Sequence, residues 1–258
     1  MLLMTVLYAA RVARYDLFKP ISFLAKRITK WDPKCDQRLH QLMSYINGSA
    51  DQVMVGFIGD DDEMKTLGVH LHCDADFAGD PYSLKSTSGS HLTIEAPKSR
   101  FPFAASAEGQ TSRAHSPTEA EVASLDKGMR EKAEPCFIIW QSLPRQYHPD
   151  GWEMMLDIHE DNTTCIICAR TGKNATMKTL ERCFGVSLGW IYQRIKSADY
   201  TRGRSTCVQI SIPVLLCFPQ KIEFTASKKR MGFLSGPLIT FCISGSIICL
   251  KLVPNLLW

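Results

Sequence analysis

Leu67-Gly-Val-His-Leu-His-Cys73 is the stretch whose reading decides the fold. Its apolar side chains alternate with Gly68, His70 and His72, and a period of two means a strand with one face turned to a core. Downstream, Ser90–Ile94 and Phe101–Ala105 read as two more strands. Ser116-Pro117-Thr118-Glu119 then supplies an N-cap, a proline for the first helical position and a capping-box glutamate in order, so a helix starts there and runs through Met129. Met154, Leu156 and Ile158 alternate as a further strand that ends in His159-Glu160-Asp161-Asn162. Val186, Trp190, Ile191 and Ile195 suggest a closing helix, and Trp140 and Trp190 read as core residues. Strands interleaved with helices make this part α/β.

Upstream, residues 1–50 read as helical. Leu17, Ile21, Leu24, Ala25 and Ile28 recur at helical spacing, as do Leu39, Leu42, Met43 and Ile46, with Asn47-Gly48 as a left-handed stop. Gly59-Asp60-Asp61-Asp62-Glu63 reads as a charged hairpin tip. Downstream, 199–258 form an atypical apolar tail. Met231 to Leu250 carries no charged residue and follows Lys228-Lys229-Arg230, so it is long enough to span a bilayer with its basic flank on the cytoplasmic side. Pro237, three glycines and three serines in that run argue against a span. The run has no polar face and no alternation with which to join a sheet edge, so a detached helix is expected.

Composition narrows the class without choosing a partner. In 258 residues, 45% are hydrophobic and 22% charged, as in an ordinary globular protein. A net charge of +4 permits a polyanionic partner but does not specify one. Ten cysteines are scattered along a chain too long to need staples, and Met1 to Leu7 lacks the basic start of a signal peptide. Reduced thiols in a cytoplasmic or nuclear compartment are therefore expected. Cys165-Ile-Ile-Cys168 has no second pair to complete a zinc site.

Three acids fall where element ends would bring them together: Asp74 at the end of the first strand, Glu121 in the second turn of the capped helix, and Asp161 after the later strand. Such oxygen donors suit Mg²⁺ or Mn²⁺, which bind substrate phosphate. Acids also favour element ends for solvation alone, and spacing does not separate the two readings. His70-x-His72-x-Asp74 resembles the metal-binding start of a metallo-β-lactamase-like hydrolase, but Ala75 stands where that motif needs another histidine. The two histidines then read as the polar side of the strand. A zinc deaminase is excluded because no H-x-E precedes a P-C-x-x-C.

Taken in order, Cys73-Asp-Ala-Asp-Phe-Ala-Gly-Asp80, Lys85-Ser-Thr-Ser-Gly89, Ser116-Pro-Thr-Glu-Ala-Glu121 and His159-Glu-Asp-Asn162 resemble the ribonuclease H domain of Copia-type retrotransposon Pol polyproteins. The resemblance covers about 67–195. More loosely, Tyr8-Ala-Ala-Arg-Val-Ala-Arg14 and Tyr45-Ile46 resemble the segment joining reverse transcriptase to ribonuclease H. It implies a mixed five-stranded sheet flanked by helices, three antiparallel strands first, preceded by an N-terminal helical segment. Domains of 1–50, 51–198 and 199–258 follow from it.

The implied activity is metal-dependent hydrolysis of the RNA strand of an RNA–DNA hybrid, with two Mg²⁺ or Mn²⁺ ions and the reverse transcriptase of the same polyprotein as partner. Carried over by position, Asp74, Glu121 and Asp161 are the catalytic metal ligands and Glu119 is the capping residue. The family's fourth acid or histidine falls on Met177-Lys-Thr-Leu-Glu-Arg-Cys-Phe184, where Glu181 is the candidate. Lys85, Ser86 and Ser88 are candidates for contacts to hybrid phosphates, or simply a polar hairpin loop. The departure at the fourth position leaves an alternative: a catalytically inactive, decayed fragment that keeps the fold and at most binds nucleic acid.

Overall fold

A computed structural model describes residues 2–52, 54–59, 67–142, 155–177, 180–196, 208–211 and 248–250. The acidic cluster at 60–63 and most of the apolar run, 231–247, lie outside the described residues. The chain divides into two units, 1–57 with 216–258, and 58–215.

The first unit holds α1 (Leu2–Ala13), α2 (Phe18–Ala25), α3 (Pro33–Gly48) and β1 (Met54–Gly56). Leu17, Ile21 and Leu24 are buried, while Ile28 is exposed in a 3₁₀ turn beyond α2, so the helical spacing stops one turn earlier than its periodicity suggests. Asp32 caps α3 by accepting from Cys35 N at 2.8 Å, with Pro33 in the first turn. The far end differs from the expected left-handed stop: Gly48 stays in the helix, and Ser49 closes it with its N–H donating to Tyr45 O. Arg14 donates to Ser49 Oγ at 2.7 Å and pairs with Asp16 at 2.8 Å, tying the end of α1 to the end of α3.

The second unit contains β2 (Gly68–Asp76), β3 (Thr87–Ala96), β4 (Ser99–Gly109), α4 (Pro117–Gly128), α5 (Glu134–Ser142), β5 (Met155–His159), α6 (Thr163–Thr171), α7 (Leu180–Phe184), α8 (Leu188–Lys196) and β6 (Val208–Ser211). β2, β3 and β4 form an antiparallel meander, and β5 joins β2 in parallel. The sheet is thus mixed and its first three strands antiparallel, as expected. Within the span 67–195, however, it has four strands and not five.

The tail needs a matching correction. Val208–Ser211 pairs in parallel with β5 and so extends the sheet edge, and Ile248–Leu250 (β7), inside the apolar run, pairs antiparallel with β1. Two short pieces of the tail are therefore strands, because a free edge accepts any segment that can present its backbone groups. Among the described residues, no helix is long and apolar enough to cross a membrane.

Alternation along β2 sets the core. Val69, Leu71 and Cys73 are buried with Leu92, Val122, Leu125, Met129, Leu156 and Ile158, and α6 and α8 add Cys165, Ile166 and Ile191. Each fully buried aliphatic side chain contributes about 1.5–3 kcal/mol by leaving water. Trp140 and Trp190 pack against this core without being fully buried. α4 approaches β2 so closely that a Cβ on Gly128 would sit 2.6 Å from Cys73 Sγ. The helix does not stop at Met129, because a π-helical turn over Met129–Ala133 carries it into α5. The β3–β4 ladder shifts register beside Pro102, which has no N–H to give, leaving Phe103 as the extra residue.

Candidate metal centre

Asp74 lies near the end of β2, opposite Gly89 on β3. Ser124 Oγ on α4 donates to the carbonyl oxygens of both residues, at 2.8 and 3.1 Å, which fixes the helix over this point of the sheet. The start of α4 is set by its cap. Ser116 Oγ accepts from Glu119 N at 3.2 Å, and Glu119 Oε2 accepts from His115 N at 2.6 Å, one residue before the cap. Gln110, a residue the sequence did not single out, donates to Ser88 Oγ and to Ala120 O at 3.0 and 2.8 Å. It anchors the first turn of α4 to β3, and with it Glu121.

Asp161 follows β5 and immediately precedes Asn162, whose side chain accepts from Cys165 N at 3.0 Å and so caps α6. Three elements thus deliver three acids, and one carboxylate oxygen from each of Asp74, Glu121 and Asp161 lies within 4.8 Å of the others. Glu121 is buried, Asp74 half-buried and Asp161 exposed, so the cluster is open to solvent on one side.

Glu121 lies 7% exposed, and its Oε2 has no hydrogen-bond partner. Burial, then the negative charges of Glu160, Asp74 and Asp161, push its pKa up to about 9. A carboxyl in that position holds a proton at neutral pH unless a cation offsets the crowding. The donor set is all oxygen and its buried orphan atom faces like charges, so the residues fit a hard divalent cation.

Glu160 is a second residue that sequence reasoning passed over. It is fully buried, and its Oε1 accepts from Asn162 N at 3.2 Å across the turn that carries Asp161. Burial raises its pKa to about 8, opposed by the Asn162 N–H and reinforced by Asp161 and Asp74. A glutamate beside the quoted Asp-Asn pair carries no sign of its burial, because burial here depends on α6 folding back over the strand end.

Glu181 is exposed on α7 and is not among the acids that converge. Lys85 Nζ donates to Thr111 O. Ser86 Oγ accepts from Ala78 N at 3.1 Å and Ser88 Oγ accepts from Gln110, so both serine hydroxyls face inward and hold the loop. That loop is folded around Asp80, whose carboxylate accepts from Tyr82 N and Ser83 Oγ. A Cβ on Gly79 would sit 2.2 Å from the Asp76 carboxylate, which would then have to turn away. Cys165 and Cys168 are buried free thiols on α6, and among the described residues no metal-ligand cluster includes them.

No protein-family model matches the chain, and no curated protein matches it. Among solved structures, the protease–reverse transcriptase of a foamy virus in complex with an RNA/DNA hybrid aligns at 13% identity with a TM-score of 0.44, over 90% of this chain. The alignment spans 27% of that chain, about a quarter of its length. An RNase H1 isolated from compost by a metagenomic approach aligns at 9% identity with a TM-score of 0.29, over 56% of this chain and 83% of that one.

Proposed function

We propose that the second unit is a ribonuclease H-type nuclease that hydrolyses the RNA strand of an RNA–DNA hybrid, as part of a Copia-type retroelement Pol chain that includes a reverse transcriptase. The observation that carries the reading is the convergence of Asp74, Glu121 and Asp161, from a strand end, a helix and a post-strand turn, to within 4.8 Å. The four motifs resembling that family place these same residues in the catalytic roles, and the antiparallel meander followed by a parallel strand is the arrangement that resemblance implies.

The chain's residues do three things in this reading. Asp74, half-buried, and Asp161, exposed, would hold the cations beside the substrate phosphate. Glu121, buried and crowded by Glu160, Asp74 and Asp161, would complete the ligand set once ionised. Gln110 and Ser124 hold α4 so that the three carboxylates stay aligned. Two Mg²⁺ or Mn²⁺ ions bound here would activate the attacking water and stabilise the leaving oxygen.

The test is cleavage of an end-labelled RNA–DNA hybrid by the full chain in Mg²⁺ and in Mn²⁺. Endonucleolytic products from the RNA strand alone are expected, and none in chelator. Hybrid binding without cleavage in either metal would instead select the inactive, decayed copy, a reading supported by Glu181 not being among the converging acids.

A further inference from the structure

β2 and β5 are parallel and in register, with His70 opposite Asp157 and His72 opposite His159. Alternation puts all four side chains on the sheet face away from Leu71 and Ile158, at the corners of a rectangle about 4.8 Å by 6.6 Å. All four residue types are metal ligands. The rings are close: His70 Nδ1 lies 2.9 Å from His159 Nε2, and the His72 and His159 rings stack at 4.3 Å between centroids. Asp157 Oδ2 is 3.8 Å from His70 Nε2. His72 Nε2 is buried without a hydrogen-bond partner, the nearest carboxylate oxygen, Glu95 Oε1, being 3.8 Å away.

We propose that His70, His72 and His159 form a binding site for a zinc-class transition-metal cation, distinct in donors from the carboxylate trio, with Asp157 beside the other ring nitrogen of His70 as a positioning residue. Three imidazoles make a donor set that prefers Zn²⁺, Co²⁺ or Cu²⁺ over Mg²⁺ and leaves a fourth position open. Two imidazole nitrogens on one tetrahedral zinc stand about 3.3 Å apart, given Zn–N bonds of about 2.0–2.1 Å, so the His70–His159 pair is already near bonding separation. The rings stack instead of converging, and ligation needs the His72 ring to turn about χ1 and χ2. Burial lowers the His70 pKa, keeping that ring in the neutral form a metal requires. The adjoining Glu95 accepts from Thr93 Oγ1 at 2.6 Å, which leaves it placed to orient His72 from the far side.

The experiment is Co²⁺ titration of the full chain, stripped with chelator and then held in excess Mg²⁺ so that the carboxylates are occupied. One Co²⁺ per chain with the visible absorption of a tetrahedral nitrogen site is expected, displaced by Zn²⁺. His72→Gln and His159→Gln should each weaken binding by more than about tenfold, while Asp74→Asn leaves it unchanged. Cu²⁺ paramagnetic resonance on the unsubstituted chain should show coupling to nitrogen, a readout that survives if the variants fail to fold. Absence of tight Co²⁺ binding, or oxygen-only coupling of Cu²⁺, would overturn the site and leave an imidazole–imidazole hydrogen bond. Binding lost in Asp74→Asn but kept in His72→Gln would also overturn it, placing the cation at the carboxylates.

Discussion

The end of β2 and its middle are built from the same strand and partner but carry opposite ligand chemistry. At the end, Asp74 meets Glu121 from α4 and Asp161 from beyond β5. In the middle, His70 and His72 face Asp157 and His159 across one parallel ladder. Both clusters are half-buried, and burial acts on them with opposite sign: it raises the carboxyls of Glu121 and Glu160 and lowers the imidazoles of His70, His91 and His159. In each case the neutral form wins because a charge in a low-dielectric site is costly without a partner. Neutral carboxyls can bind a cation only by losing protons, whereas neutral imidazoles are already competent ligands. In the proposed reading one strand would separate an oxygen site coupled to pH from a nitrogen site limited by the turning of a stacked ring.

The largest effect should come from the carboxylate end. Asp74→Asn removes one ligand charge and keeps the size of the side chain, so cleavage of a hybrid should fall by more than about a hundredfold, beyond the usual cost of losing an outer-shell partner. Circular dichroism and hybrid binding should be nearly unchanged. A variant that cleaves at a tenth of the normal rate or better would remove Asp74 from the metal site.

Titration sharpens the contrast. Glu121 and Glu160 ionise near 4.5 in the unfolded chain and at about 9 and about 8 when folded, so the stability they contribute is complete below about pH 4.5 and is lost as pH rises toward 9. His91, with an unfolded value of 6.5, titrates at about 4 when folded, since burial and then the charges of His72 and Arg100 hold it down. Its stability is complete above about pH 6.5 and is lost as pH falls toward 4. In chelator the thermal midpoint should therefore peak in mildly acidic solution and decline on both sides. Millimolar Mg²⁺ should flatten the alkaline limb alone, because a cation bound only to the folded state offsets the carboxylate crowding. An alkaline limb that ignores Mg²⁺ would mean that the acids do not share a cation.

Removing residues 198–258 tests how far the two clusters depend on the sheet edge. β6 pairs with Leu156, Asp157, Ile158 and His159, the strand that carries half of the imidazole block. Loss of that edge should lower the midpoint by several degrees and expose the His159 amide to hydrogen exchange, with less effect on the Asp74 amide, which sits between β2 and β3. A midpoint within a degree of the full chain would show that β6 adds little.

The difference between the clusters also explains what could be read in advance. The acid trio was legible in two steps: alternation before Asp74, a capping box before Glu121, and alternation and a turn before Asp161 mark element ends, and the family resemblance then selects these acids over a merely solvated reading. The imidazole block was not, since His70-x-His72 looks like the polar side of any strand, and only the register of β2 against β5 brings Asp157 and His159 alongside. The same limit applies to Glu160 and Gln110, whose burial depends on elements distant in sequence. The strand at Val208–Ser211 was missed, although five strands were expected, because four residues of edge strand carry too little periodicity to stand out from an apolar tail.

The smallest effect expected is at Glu119, which separates capping from catalysis within two residues of the same helix. Its side chain is buried, and Oε2 accepts from His115 N at 2.6 Å, while its own N–H donates to Ser116 Oγ. Glu119→Gln keeps an acceptor for His115 and loses only a negative charge near the helix N-terminus, where such a charge is worth about 0.3–1 kcal/mol. For a domain of this size that is a fall of about 1–4 °C in the thermal midpoint. Cleavage should persist close to the unsubstituted rate, because Glu119 is not among the converging carboxylates. Loss of activity comparable to that of Asp74→Asn would exchange the roles of Glu119 and Glu121. It would also imply that α4 meets the strand end one face further round than its hydrogen bonds to Asp74 and Gly89 place it.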